Sequence, residues 1–115
     1  MSQDLPTITL GRTGLTVTRL GIGGAYNKTV EARIAALDSG VTYVDTARSY
    51  QKGEDERLVG QAIAGRRDGL VLATKSGKRD AAGGRAELEE SLRALRVDYI
   101  DIWQLHHLNT APERE

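Results

Sequence analysis

The stretch VTYVDTARSY, from Val41 to Tyr50, leads from apolar, aromatic and β-branched residues straight into Asp45 and Tyr50. Two similar runs follow it along the chain, GLVLATK at 69–75 and DYIDIWQLH at 98–106. Of the three runs, VTYVD at 41–45 and GLVLATK at 69–75 are almost continuously apolar, which is typical of parallel strands covered on both faces. We therefore predict that Val41–Asp45 forms a buried strand of a parallel sheet.

Helical spacing separates the predicted strands. Apolar residues recur at intervals of three and four in three segments, and Gly40 and Gly65 suit the ends of the first two helices. The three stripes are Val30, Ile34 and Leu37, then Leu58, Val59, Ala62 and Ile63, then Leu88, Leu92 and Leu95. Before them, TITL at 7–10 and LTVTRL at 15–20 flank GRTG, which predicts a β-hairpin. With RLGIGGA at 19–25 as the first strand, we predict an α/β fold with about four parallel strands and three helices.

Composition describes an ordinary soluble globular protein. The 115 residues are 39% apolar and 28% charged, and the formal net charge is zero, so we expect one domain over residues 1–115 and no nucleic-acid or membrane partner. The chain has no cysteine, which excludes disulfides and thiolate chemistry. No secretory signal is evident at the N-terminus. The expected location is therefore the cytoplasm.

The second, third and fourth predicted parallel strands each end in a polar residue. Asp45 ends the second strand, Lys75 the third and His106 the fourth, while Tyr50 lies in the loop after Asp45. In a (β/α)8 barrel the carboxyl ends of the strands converge on one face, which carries the active site. These four residues are therefore candidates for one catalytic site.

The chain resembles the N-terminal half of an aldo-keto reductase. The similarity lies in LGRTGLTVTRLGIGGAY, in VDTARSY followed by EDERLVGQAI, in LATKSGKRD and in LEESLRALRVDYIDIWQLHH, and the four stretches stand in family order. The resemblance implies a partial (β/α)8 TIM barrel that uses NADPH or NADH to reduce an aldehyde or ketone. It also implies a catalytic tetrad of Asp45, Tyr50, Lys75 and His106, with Gly24, Ala25 and Asp45 beside the nicotinamide end of the cofactor.

The chemistry of these residue types suits the implied reaction. Reducing a carbonyl leaves an alkoxide that needs a proton, and the phenol of Tyr50 is a weak acid unless its anion is stabilised. A buried lysine cation at position 75 would provide that stabilisation, and Asp45 would keep the lysine charged. His106 could donate a hydrogen bond that orients the carbonyl oxygen.

Other patterns in the sequence do not complete a known site. GIGGAY has Tyr26 where a dinucleotide-binding G-x-G-x-x-G has its third glycine, and SGKR lacks both the first glycine and the final hydroxyl of a phosphate-binding loop. His106 and His107 are expected to point to opposite faces of a strand, which disfavours a metal site. Trp103 is expected in the core.

The resemblance covers only half of a barrel, which typically takes about 250 residues. In the family, the later strands supply the residue that stacks on the nicotinamide and most of the groups that bind the phosphates. We therefore expect the 115-residue chain to be a fragment, half of a dimeric pseudo-barrel, or a degenerate and inactive product. An inactive chain would act as a binding or regulatory protein, and an open sheet would favour self-association.

Overall fold

A computed structural model of the chain describes residues 4–24, 29–110 and 112. Eight helices and strands lie in these residues, together with 3-10 turns at Tyr50–Gly53 and Arg67–Gly69. In chain order they are β1 (Thr7–Thr9), β2 (Thr16–Thr18), α1 (Val30–Asp38), β3 (Tyr43–Asp45), α2 (Glu54–Ala62), β4 (Val71–Ser76), α3 (Ala81–Leu95) and β5 (Ile102–Leu105).

The N-terminal hairpin is confirmed. β1 and β2 pair antiparallel, with Ile8 opposite Val17. The backbone N–H of Leu10 donates to the carbonyl of Leu15 at 2.9 Å and closes the turn. Between them, Gly11 and Gly14 have positive φ angles of 48° and 76°, which glycine adopts at little cost.

The central sheet is parallel, in the order β3-β4-β5. Asp45 is in register with Ala73, and Lys75 with Gln104. The predicted first strand at 19–25 is reduced, in the described part of the chain, to a single parallel bridge between Ile22 and Val44. The fold class is confirmed, with the described strands shorter than predicted.

Every predicted apolar stripe of the helices contributes to the core. Leu37, Val59 and Leu95 are buried in one cluster with Val44 and Leu72 of the sheet. The burial of β4 is nearly complete along its length, as its apolar sequence predicts. β5 is different: Trp103 keeps 39% of its surface exposed, so the expectation that it lies in the core is wrong. Its exposure follows from its place on β5, whose side chains are exposed or only partly buried.

Helix α2 packs against both α1 and α3. Gly60 lies at its contact with α3, and an added Cβ there would lie 2.8 Å from the carbonyl oxygens of both Ala94 and Leu95. Within the described residues, none of the helices has the length and apolar character needed to cross a bilayer.

We predict that Gly60→Ala destabilises the fold by about 1–3 kcal/mol, because the new methyl group would meet backbone atoms that cannot move aside. The better helix propensity of alanine is worth only about 1 kcal/mol in the other direction. Urea denaturation followed by circular dichroism measures the difference. Gly69→Ala is the control, because a Cβ at that position has no atom within 4 Å. A Gly60→Ala protein as stable as the parent would contradict the close contact.

Candidate active site

Lys75 is the centre of the site. It lies on β4 beside the end of β3, and its side chain is only 15% exposed. The ammonium group donates to both carboxylate oxygens of Asp45, at 2.9 and 2.8 Å, and to the carbonyl of Thr46 at 2.9 Å. The phenol oxygen of Tyr50 lies 3.3 Å from the same nitrogen. The register of β3 and β4 therefore brings Asp45 to Lys75, and the loop after β3 brings Tyr50 to the same cation.

Tyr50 is held by a short loop of unusual backbone conformation. Its N–H donates to the carbonyl of Ala47 at 3.2 Å. The next two residues, Gln51 and Lys52, have φ angles of 51° and 55°, in the left-handed region that non-glycine residues seldom occupy. The guanidinium of Arg48 donates to the carbonyl of Gly53 at 3.1 Å and ties the end of the loop back to its start.

His106 follows β5 and reaches the same cluster. The backbone N–H of His106 donates to the carbonyl of Ser76 at 2.8 Å, so that the β4–β5 hydrogen bonding extends to His106. Its ring meets the ring of Tyr50 edge-on, with centroids 5.6 Å apart, and its Nδ1 lies 3.2 Å from Oγ of Ser49. All four tetrad positions predicted from the sequence thus lie at one end of the sheet.

The expectation that His106 and His107 face opposite ways is wrong. Their rings stack, with centroids 3.9 Å apart and planes 15° from parallel. The alternation of a strand does not apply because β5 ends at Leu105 and His107 has a φ of 57°. Arg79 donates to the main-chain carbonyls of both histidines and holds this turn in place.

The pKa of His106 is lowered from its ordinary value of about 6.5. Burial is the main cause, since it disfavours the charged imidazolium, and the positive charges of His107, Lys75 and Arg79 act in the same direction. The carboxylate of Asp45 opposes the shift. At neutral pH His106 is therefore uncharged and keeps one ring N–H as a hydrogen-bond donor.

Gly24 packs closely against Asp45, Tyr50 and Asp55. A Cβ at this position would lie 2.3 Å from Oδ2 of Asp55, 3.0 Å from Cδ2 of Tyr50 and 3.1 Å from the carbonyl oxygen of Asp45. Packing alone thus explains why no larger residue stands here. Ala25, the other predicted neighbour of the cofactor, lies outside the described residues.

Sequence reasoning missed a buried polar group beneath the site. Asp55 is fully buried, accepts from the hydroxyl of Thr46 at 2.6 Å and pairs with the guanidinium of Arg33, which is itself 1% exposed. A signal was present in the helical spacing. Arg33 stands four residues before Leu37, and Asp55 four before Val59, so both lie on apolar faces where a charge is unexpected.

The model of the aldo/keto reductase family matches residues 12–113. The chain belongs to this family. It is 39% identical over 117 residues to the aldo-keto reductase YhdN of Bacillus subtilis, in a match that covers 82% of this chain and 35% of that protein.

Solved structures give the same family and fold. The chain is similar to the aldo-keto reductase AKR11C1 of Bacillus halodurans in its holo form, with a TM-score of 0.82, 34% identity and coverage of 89% of this chain and 40% of that one. It is also similar to an aldo-keto reductase of Klebsiella pneumoniae in complex with NADPH, with a TM-score of 0.76, 34% identity and coverage of 96% and 42%. The chain thus spans less than half the length of these relatives.

We predict that His106 titrates below pH 6.5 and that His107→Gln raises its midpoint, because a positive neighbour no longer opposes its protonation. Asp45→Asn should move the midpoint the other way, since it removes the charge that favours the imidazolium. Proton NMR of the imidazole Cε1–H signals measures both shifts, and assignment is simple because the chain has two histidines. Equal midpoints in the parent and in both variants would show that the described neighbours do not act on His106.

Proposed function

We propose that Asp45, Tyr50, Lys75 and His106 form the proton-donating side of an NAD(P)H-dependent carbonyl reductase site. One observation carries the proposal. A single ammonium group, on Lys75, contacts the phenol oxygen of Tyr50 at 3.3 Å while a carboxylate and a main-chain carbonyl accept from it. A cation beside the phenol oxygen stabilises the phenolate that remains after the phenol donates its proton.

The reaction adds a hydride and a proton to an aldehyde or ketone and yields an alcohol. When bound, the nicotinamide cofactor supplies the hydride to the carbonyl carbon. As charge develops on the carbonyl oxygen, Tyr50 donates its phenolic proton to that oxygen. The cation of Lys75 stabilises the phenolate left behind, and Asp45 keeps that cation charged and in place.

His106 has a separate role in the proposed reaction. Its lowered pKa leaves the ring uncharged, so that its N–H can hydrogen-bond to the substrate oxygen without competing with Tyr50 as the acid. The edge-on contact with the ring of Tyr50 puts this donor and the phenol at the same end of the sheet. Two donors for one developing oxyanion fit the reduction of a carbonyl.

The residues present are compatible with the nicotinamide end of the cofactor. The carboxylate of Asp45 is 35% exposed, which leaves it accessible to a ribose hydroxyl in addition to Lys75. Gly24 packs against the main chain of Asp45 and the ring of Tyr50. We propose NADPH as the cofactor because a relative of 34% identity was solved with it.

A chimera tests the function of this site directly. Residues 1–115 would replace the aligned segment of the Bacillus halodurans aldo-keto reductase, and NADPH oxidation would be followed with an aldehyde substrate. We predict that Tyr50→Phe in the chimera lowers kcat by about 10²–10⁴-fold and leaves the Kd for NADPH unchanged, because only proton transfer is removed. Tyr99→Phe is the matched control, since that phenol contacts Asp68, away from the site. Turnover of Tyr50→Phe within tenfold of the chimera would exclude Tyr50 as the acid.

A second candidate, protein binding through the sheet, is favoured by the surface of β5. Trp103 and Leu105 stand two residues apart on this strand, so they share one face, and they are 39% and 45% exposed. Large apolar side chains beside the outer strand of a sheet favour association with another chain.

We therefore predict that residues 1–115 alone self-associate and show no measurable reduction of carbonyls with NADPH. Light scattering would report a mass above that of the 12.5 kDa monomer, and Leu105→Lys should reduce it by placing a charge on the β5 face. Leu20→Lys is the control, because Leu20 is 63% exposed and lies outside the parallel sheet. A monomer that binds NADPH at micromolar concentration would contradict this prediction.

A further inference from the structure

We infer that Asp55 is a positioning residue for the Tyr50–Lys75 pair, an inference that rests on the function proposed above. Asp55 is fully buried in the first turn of α2 and touches neither Tyr50 nor Lys75 through a hydrogen bond in the described structure. Its carboxylate instead binds the residues on either side of the loop that carries Tyr50.

The first of these contacts is the hydrogen bond between Asp55 and Thr46. The Thr46 hydroxyl donates to Oδ2 of Asp55 at 2.6 Å, and the Thr46 carbonyl accepts from the ammonium of Lys75 at 2.9 Å. Thr46 itself is fully buried. The Asp55 carboxylate therefore holds Thr46 in place, and with it the Thr46 carbonyl that accepts from Lys75.

The second contact is the hydrogen bond between Asp55 and Gln51, the residue after Tyr50. Its side-chain amide donates to Oδ1 of Asp55 at 3.1 Å. Gln51 has a left-handed backbone with φ of 51°, a conformation that is unfavourable for a residue with a Cβ. The hydrogen bond to a buried carboxylate holds the residue in that conformation and so fixes the direction in which Tyr50 leaves the loop.

Arg33 supplies the charge that allows a carboxylate to stay buried at this point. Its guanidinium pairs with Oδ1 of Asp55, and both side chains are almost completely inaccessible. Nε and Nη1 of Arg33 have no hydrogen-bond partner within the described ranges. Replacing Asp55 would leave this guanidinium buried without its counterion and would destabilise the whole fold, so Asp55 is a poor choice for the test.

Thr46→Val is the sharper variant, because it keeps the β-branched shape and removes only the hydroxyl. The readout is the exchange of the Lys75 ammonium protons with water, measured in ¹H–¹⁵N correlation spectra that detect lysine Nζ. In the parent these protons should exchange slowly, since the nitrogen donates to Asp45 and Thr46 and contacts the phenol oxygen. The signal is assigned by its loss in Lys75→Met.

We expect Thr46→Val to speed this exchange by at least about tenfold, the low end of the range that corresponds to losing one charge-assisted hydrogen bond, and Thr46→Ser to restore it. Thr42→Val is the matched control. It lies at the other end of the same strand segment, loses a hydrogen bond from the N–H of Thr18, and should leave the Lys75 signal unchanged. Urea denaturation of both variants compares their stabilities.

Three outcomes would overturn the inference. They are parent-like exchange in Thr46→Val, equal acceleration in Thr42→Val, and the absence of a slowly exchanging Lys75 signal in the parent. The measurement needs neither cofactor nor turnover. Failure of the chimera to reduce carbonyls would therefore count against the proposed function and leave the positioning role of Asp55 to this separate test.

Discussion

The ion pair between Lys75 and Asp45 is the interaction on which the site depends. The side chain of Lys75 is only 15% exposed, and burying an ammonium group without a partner is unfavourable, so the carboxylate of Asp45 stabilises it in this position. Asp45 ends β3, and Lys75 stands two residues beyond the partner of Asp45 on β4. Because parallel strands in this register place their carboxyl ends side by side, the sheet itself brings the two charges together.

Much of the fold could be predicted from the sequence, because it is encoded by local patterns. The hairpin follows from its glycines, and the three helices follow from apolar residues at helical spacing, with each helix contributing to one core. The ends of the helices were harder to predict than the helices themselves. α3 begins at Ala81, seven residues before the first residue of its predicted apolar stripe, because Asp80 caps it by accepting from the N–H of Gly83. The exposure of Trp103 was not predicted, because the sequence of a strand does not reveal which of its faces is covered.

The candidate site was predicted by its residue types but not by its geometry. Asp45, Tyr50, Lys75 and His106 were identified by their positions at strand ends and by resemblance, and the structure brings all four together. The stack of His106 on His107 could not be foreseen, since it depends on a positive φ after the strand. The buried Asp55 was missed for a different reason. Acidic residues in the first turn of a helix ordinarily face solvent and respond to the helix dipole, and that expectation hid the helical spacing that places Asp55 on an apolar face.

That burial gives the site a property that the apolar core could not supply. Apolar contacts are non-directional, so they hold α2 against the sheet without fixing where Tyr50 points. Two consecutive left-handed residues, Gln51 and Lys52, each raise the energy of the loop by about 1–2 kcal/mol. Directional hydrogen bonds to Asp55 and the pairing of Arg48 with Glu56 offset that strain and select one loop conformation. The unfavourable backbone therefore lies directly beside Tyr50, and the buried charges beneath the loop offset its strain.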